Sequence, residues 1–376
     1  MNTAATPETV LGPRALNRAT LARQHLLGRS RMPALDMVEH LVGMQAQEPE
    51  NPYVALWSRI EGSQPAELSG LIEAHRASRG GLMRGTLHLV SERDMLAFQP
   101  LMRPVLARVL HTQSPFGRRL TGLDVDELMT VGRVWLEDLP RTRAELVPLL
   151  AERWPDHDAS SLAYALTYLL PLVQVTPRGL WHRSGRAAFT TVEAWHGRAP
   201  DAEPDVDTFV FRYLAAFGPA SASDIRIWSG LTGVGAVVDR LRHRLVTVRD
   251  ETGRELFDLT DAPRPDPDTR APVRFLPEYD NVLLGFADRS RFGTDPRVAP
   301  LFAEQRIGLG AILVDGTVRG TWRVRRDRST ARMTIRMLDP LAPSDATAVD
   351  EEGAALLDVL ADDLPGRELS RTTFDG

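Results

Sequence analysis

The chain has 376 residues, 43% apolar and 25% charged, with a net charge of −5. At about 150 residues per domain this predicts two or three domains, more if the units are small, in a soluble globular protein. Cysteine and lysine are both absent, which excludes disulfides, thiol catalysis, cysteine-ligated metal, a Walker lysine and lysine-bound pyridoxal phosphate. Imine chemistry would be left to the N-terminal amine.

The N-terminal stretch MNTAATPETVLGPR lacks the basic and apolar regions of a secretory signal. No window approaches about 18 uncharged apolar residues, so no transmembrane helix is expected and a cytoplasmic location is. Net acidity argues against a uniformly basic nucleic-acid binder. Local patches matter more, and WHRSGR (181–186), RHRLVTVR (242–249) and RVRRDR (323–328) are each cationic. For any one patch alone, solvated arginines on turns and strands are an equal reading.

In chain order, NRATLARQHLLG (17–28) reads as an opening helix. PALDMVEHLVG (33–43) reads as a second, with Leu35, Val38, Leu41 and Val42 on one stripe. NPYVALWSRI (51–60) begins a third, with Pro52 in its first turn. GLMRGTLHLV (81–90) reads as a strand, and 91–120 as a connecting helix. A second unit follows at about 125–195. It has a helix at DVDELMTVGRVWLE, a helix capped by Thr142, a helix at SSLAYALTYLLP, then two strands around a Pro-Arg-Gly turn in LVQVTPRGLWHRSG.

The third unit is the most regular. DTFVFRYLAAFG (207–218) is a helix, and Ser221 or Ser223 caps a short helix ended by Gly230. GVGAVVDRLRH (233–243) is another helix, and 245–260 forms two alternating strands around Glu-Thr-Gly. Helices followed by a hairpin give the order of a winged helix, whose third helix enters the major groove. After the Pro/Asp-rich linker TDAPRPDPDTRAPV (260–273) come short strands, an Asp315-Gly316 hairpin turn and a helix at 350–363. The predicted fold class is α+β: three tandem winged-helix domains with a C-terminal β-rich, barrel-like domain. The boundaries are 1–95, 96–200 (connecting helix and second unit), 201–265 and 270–376.

The stretch GMQAQEPENP (43–52) places Gln45 and Gln47 between helices two and three. On a helix, residues two apart diverge by about 200°. In extended backbone they share a face, and Gly43 and Pro49 argue against continuous helix. Two neighbouring amides can donate and accept without charge. They suit holding a water or steadying a cationic transition state, and they suit general-base work poorly. The alternative is two glutamines that satisfy turn backbone or touch phosphate. Glu48 is a candidate base or a helix-start acid. Glu278 and Asp280, sharing a strand face, are paired acids with a structural reading favoured. His88 alternates within a strand, and no histidine spacing suggests a metal. Trp57, Trp181 and Trp228 fit core positions, with base stacking as the other reading for Trp181.

GMQAQEPENPYVALWSRI, LMRGTLHLV, GPASASDIRIWSGL, FLPEYDNVLLGFADRSR and ILVDGTVRGTWRV, spanning roughly 15–340, resemble the winged-helix DNA glycosylases of the AlkZ-like superfamily, the azinomycin-resistance type. The resemblance implies excision of N7-alkylated purines, including bulky adducts and interstrand crosslinks, and self-resistance to a genotoxic natural product. The family's glutamine–apolar–glutamine motif falls on Gln45-Ala46-Gln47, so Gln45 and Gln47 are the expected catalytic residues. It also implies a DNA-engaging β-hairpin, for which ADRSR (Arg289, Arg291) and RVRRDR (Arg323, Arg325, Arg326) both qualify. Arg183, Arg186, Arg242 and Arg244 are the further expected DNA contacts. No cofactor, metal or membrane partner is expected, and a nucleoid-associated monomer acting on double-stranded DNA is. The competing reading is a non-enzymatic winged-helix regulator, disfavoured because regulators gain symmetry by dimerising rather than by tandem units.

Overall fold

The computed structural model describes residues 9–298 and 309–374. The chain begins with β1 (Val10–Leu11) and α1 (Pro13–Arg23), then α2 (Ala34–His40), β2 (Met44–Gln45), α3 (Asn51–Arg59) and α4 (Pro65–Glu73). β3 (Ala77–Gly81) and β4 (Leu87–Ser91) follow, and α5 (Glu92–Arg108) leads into the second unit. That unit holds α6 (Val125–Asp138), β5 (Arg141–Thr142), α7 (Arg143–Arg153), α8 (Ala159–Leu169), β6 (Leu172–Gln174), β7 (Ala188–Thr191) and α9 (Val192–His196). The third has α10 (Val206–Phe217), α11 (Ala222–Ser229), α12 (Val234–Leu241), β8 (Val246–Asp250) and β9 (Glu255–Asp258). The last comprises β10 (Arg274–Leu276), α13 (Asn281–Leu284), β11 (Gly310–Val314), β12 (Thr317–Arg326), β13 (Thr330–Met337), α14 (Pro343–Leu360) and β14 (Gly366–Thr373).

Local chemistry explains the helix starts. Thr142 accepts from the Glu145 N–H while the Glu145 carboxylate accepts from the Thr142 N–H, a capping box that opens α7. Ser221 and Asp224 do the same for α11, which Gly230 closes at φ 80°. The helices bury their apolar stripes together. Phe209, Tyr213, Phe217 and Trp228 form one aromatic core, with Trp228 4.9 Å from Tyr213 between ring centroids. On α2 the core-facing residues are Ala34, Met37 and Val38, with Leu35 only half-buried.

Strand pairing departs from the sequence reading in several places. Residues 81–90 are not one strand. They are the end of β3, a turn at Met83–Gly85 and β4, because Arg84 and Gly85 both take positive φ (57° and 73°) and reverse the chain. β3 also pairs with β6 through Arg79↔Gln174 and Gly80↔Val173. The first two units therefore share one six-stranded sheet, ordered β2-β4-β3-β6-β7-β5. The second strand after β6 is Ala188–Thr191; LWHRSG is loop, bent by Gly179 at φ 100° and His182 at φ 51°. α1 joins the third unit instead of opening the first: Arg23 forms a buried ion pair with Asp258 at 2.6 Å, and β1 lies parallel to β8. The C-terminal strands form an open row, β10-β11-β12-β13-β14, and no pairing among the described residues closes it into a barrel. Its helix begins at Pro343, and β14 after it, parallel to β13, was not read from the sequence.

Candidate functional site

The glutamine motif sits between α2 and α3, as its spacing predicts, but as a sheet-edge strand. Val42 (φ 57°) and Gly43 (φ 87°) turn the chain out of α2. A Cβ on Gly43 would meet Val90 Cγ1 at 2.5 Å, so only glycine lets β2 approach β4. Met44 then pairs with Leu89 and Gln45 with His88. The Ala46 N–H continues the ladder to Leu87 O at 2.8 Å. Met44 and Ala46 point into the core formed with α2, α3 and α4, so alternation sends Gln45 to the opposite face.

The two amides lie in different surroundings. Gln45 is 8% exposed. Its Oε1 accepts a hydrogen bond from Arg84 Nη2 at 2.6 Å. Gln47 is exposed and lines a cavity of about 130 Å³ with Gly80, Gly81, Gly85, Leu87, Arg143, Tyr168 and Gln174. The 83–86 turn touches both surroundings: Arg84 grips Gln45, and Gly85 lines the cavity of Gln47. Gln45 also borders a gap of about 10 Å³ beside Asn281 and Asp280, at the lower limit for one water.

Two arginines of the β3–β4 hairpin hold the motif. Arg79 Nη2 donates to Ala46 O at 2.6 Å. Arg84 donates to Gln45, to Asn281 Oδ1 at 3.0 Å and to Trp228 O at 2.6 Å. Asn281 Nδ2 donates in turn to Gly43 O at 3.3 Å. Among the described residues neither arginine has a carboxylate within ion-pair distance. Burial, then the neighbouring Arg178, lowers the Arg79 guanidinium to about 10; burial, then Arg289, does the same for Arg84. No sequence pattern singled out either arginine, although Arg84 lies within LMRGTLHLV. The only signal was a lone arginine between apolar residues and glycine.

The other candidate acids and bases resolve into structure. His88 is fully buried, and burial pushes its imidazole down to about 3, so it stays neutral. Glu278 and Asp280 lie in a turn rather than on a shared strand face. Both oxygens of Asp280 are held by Arg59, at 2.8 and 2.9 Å. Glu48 is exposed beside Gln47. Trp228 is core, whereas Trp57 and Trp181 are half-buried, and Trp181 packs on Tyr53 at 4.9 Å.

The expected DNA-contacting arginines divide. Residues 48–51 form one wall of a groove of about 520 Å³, whose lining includes Arg178, Arg183 and Arg323. Arg186 and Arg325 are exposed. Arg325 lies on β12, which turns at Asp327–Ser329 into β13, so RVRRDR lies on a β-hairpin, whereas ADRSR runs into a 3₁₀ turn at Ser290–Phe292. Arg291 is corrected: it is 3% exposed, donates to Thr20 Oγ1 at 2.9 Å and Pro219 O at 3.2 Å, and lies over the Phe286 ring. It holds α1 to the third unit, with its guanidinium buried inside the protein. Arg289 is half-buried near Arg84. Arg326 is engaged by Asp363 and by Leu360 O at 2.6 Å. Arg242 is bidentate on Glu255 at 2.8 and 2.9 Å, and Arg244 lies over Phe211 at 4.3 Å. The last four are partly committed within the protein. One group of metal-capable side chains, His182, Asp362 and Asp363, comes together across distant segments, with Arg326 beside it. Sequence spacing could not show it.

No helix among the described residues is long and apolar enough to cross a membrane. A protein named as an interstrand DNA cross-link repair glycosylase, from Streptomyces sahachiroi, is 25% identical over 328 residues, covering 81% of this chain and 85% of that protein. The solved structure of Streptomyces sahachiroi DNA glycosylase AlkZ, 22% identical, has the same fold, with a TM-score of 0.74 over 97% of this chain and 100% of that one. The family model described as DNA glycosylase AlkZ-like matches residues 38–359, which include the glutamine strand, both gripping arginines and Asn281. This chain belongs to the AlkZ-like DNA glycosylases and is a DNA glycosylase.

Proposed function

We propose that this enzyme is a monofunctional glycosylase for N7-alkylated guanine in double-stranded DNA, with bulky adducts and interstrand crosslinks among its substrates. The three helix-rich units act as winged helices around the duplex, and the C-terminal sheet supplies the hairpin that meets it. The observation that carries this reading is the exposure of Gln47 at a concave cavity, with the next residues walling a groove whose lining carries Arg178, Arg183 and Arg323 together with Glu48, Glu50 and Glu278. A phosphate backbone in that groove would meet Arg183 and Arg323, with Arg186 and Arg325 nearby. The crosslink part draws on the name of the Streptomyces relative.

N7 alkylation leaves the purine cationic, so the bond from C1′ to N9 is already weak and no strong acid is required. Water attacks C1′, the C1′–N9 pair leaves with the base, which becomes neutral, and the water's proton passes to solvent. What remains for the protein is to place the water and steady developing positive charge on the sugar, work that neutral amides perform. With no lysine in the chain, no lysine-dependent lyase step follows, and the product is an abasic site. A cavity of about 130 Å³ is near the size that holds one benzene ring. It is small for an extruded purine bearing a bulky group, which favours cleavage without full flipping.

The test is release of base from a duplex carrying N7-methylguanine, comparing wild type with Gln45→Ala and Gln47→Ala. Variants that bind DNA but release no base are the expected result. Binding without release by the wild type, from any alkylated duplex, would instead support the regulator reading.

A further inference from the structure

The motif's two amides are not interchangeable, because an arginine has already chosen the orientation of one. A guanidinium only donates, so the Gln45 atom 2.6 Å from Arg84 Nη2 is the carbonyl oxygen. Arg84 is itself fixed by the Trp228 carbonyl and by Asn281, whose own amide is oriented by Gly43 O. Gln45 is thus held by a chain of contacts in which each orientation is forced. A charged donor on Oε1 draws electron density from the amide, strengthens its N–H groups as donors and weakens its remaining lone pair. Among the described residues no such clamp holds Gln47, which is exposed at the cavity.

We propose that Arg84 and Asn281 are positioning residues that lock Gln45 as a hydrogen-bond donor, leaving Gln47 as the motif's acceptor. The inference rests on the glycosylase reading above. Gln45 serves a lone pair, on the attacking water or on the departing purine. The carbonyl oxygen that faces positive charge on the sugar and takes a hydrogen bond from the water belongs to Gln47. Replacing each glutamine by glutamate separates the roles, since a carboxylate keeps the shape and the acceptors but loses both N–H donors.

Single-turnover release from the N7-methylguanine duplex is measured from about pH 3.5 to 9 for wild type, Gln45→Glu, Gln47→Glu, Arg84→Met and Arg84→Lys. Thermal melting is followed alongside. Gln45→Glu pairs with Arg84, stays folded and loses about 100-fold in rate at every pH, the usual cost of one lost donor. Gln47→Glu loses less, and its rate rises with pH through the range in which a glutamate ionises, roughly 4 to 5 and upward. Arg84→Met lowers the rate about tenfold at unchanged substrate binding, and Arg84→Lys, which still donates, recovers part of it. A Gln45→Glu enzyme within about threefold of wild type overturns the inference, as does an Arg84→Met enzyme with unaltered rate. Wild type that releases no base overturns the glycosylase reading itself, and the inference with it.

Discussion

Gly43→Ala tests the frame that presents the motif. At φ 87° an alanine adopts a left-handed backbone, costing about 1–2 kcal/mol. Its Cβ would also lie 2.5 Å from Val90 Cγ1 and 3.1 Å from Leu89 O, where carbon contacts settle near ~3.5–4.0 Å. Val90 is fully buried, so β2 must move by about 1 Å, an overpacking cost of about 1–3 kcal/mol. Loss of glycine's freedom in the unfolded chain returns about 0.4–1 kcal/mol. The net destabilisation is about 1–5 kcal/mol, a large share of a stability of roughly 5–15. Urea unfolding should show the midpoint falling by about 1 M. The same shift of β2 drags Gly43 O from Asn281, so base release should fall even in urea-free buffer where the variant is folded. A midpoint within about 0.2 M of wild type would mean that β2 does not lie against β4 as described, and the site geometry would have to be redrawn.

Gln47→Ala should lower the rate of base release by about 10²–10³-fold with little change in DNA affinity, read by single-turnover kinetics beside a binding titration. Arg183→Ala and Arg323→Ala should each weaken binding to any duplex and lower the salt dependence of log K by about one. Arg291→Ala should leave that slope unchanged and destabilise the fold by about 2–3 kcal/mol, measured by urea unfolding. His88 is held at about 3 in the folded chain, below its ordinary 6.5, so its contribution to stability is present above about pH 6.5 and is lost as pH falls toward 3. Wild type should lose up to about 1.4 kcal/mol per pH unit below 6.5 from this side chain, and urea midpoints of His88→Leu should lack that part of the slope.

Local signals read well wherever the chain satisfies itself within a few residues. Thr142 and Ser221 cap the helices they were expected to cap, Gly230 ends α11, and the Glu251-Thr252-Gly253 and Asp315-Gly316 turns join paired strands. Extended geometry holds for Met44–Gln45, and Gln45 lies opposite Met44 and Ala46, but Gln47 sits in the bend that follows and lines a different cavity, so the two amides do not present one common face. What failed was pairing over distance. ASRGG (77–81) carries two glycines and little apolar pattern, so β3 was invisible, although it is the strand that joins β4 to β6. Arg291 looked like any surface arginine, because burial of a guanidinium depends on carbonyls brought from Pro219 and a hydroxyl from Thr20.

By itself the sequence determined the chemistry available: two closely spaced amides between two helices, no thiol and no lysine. These follow from backbone geometry and side-chain inventory, which need only neighbouring residues. The tertiary structure alone decided how the Gln45 amide is oriented, because Arg84, 39 residues away, donates to its oxygen and is itself held by Asn281 from a distant segment. It alone decided, too, which arginines remain free for DNA. A guanidinium's availability depends on whatever acceptors the fold brings within 3 Å, and no local pattern encodes that.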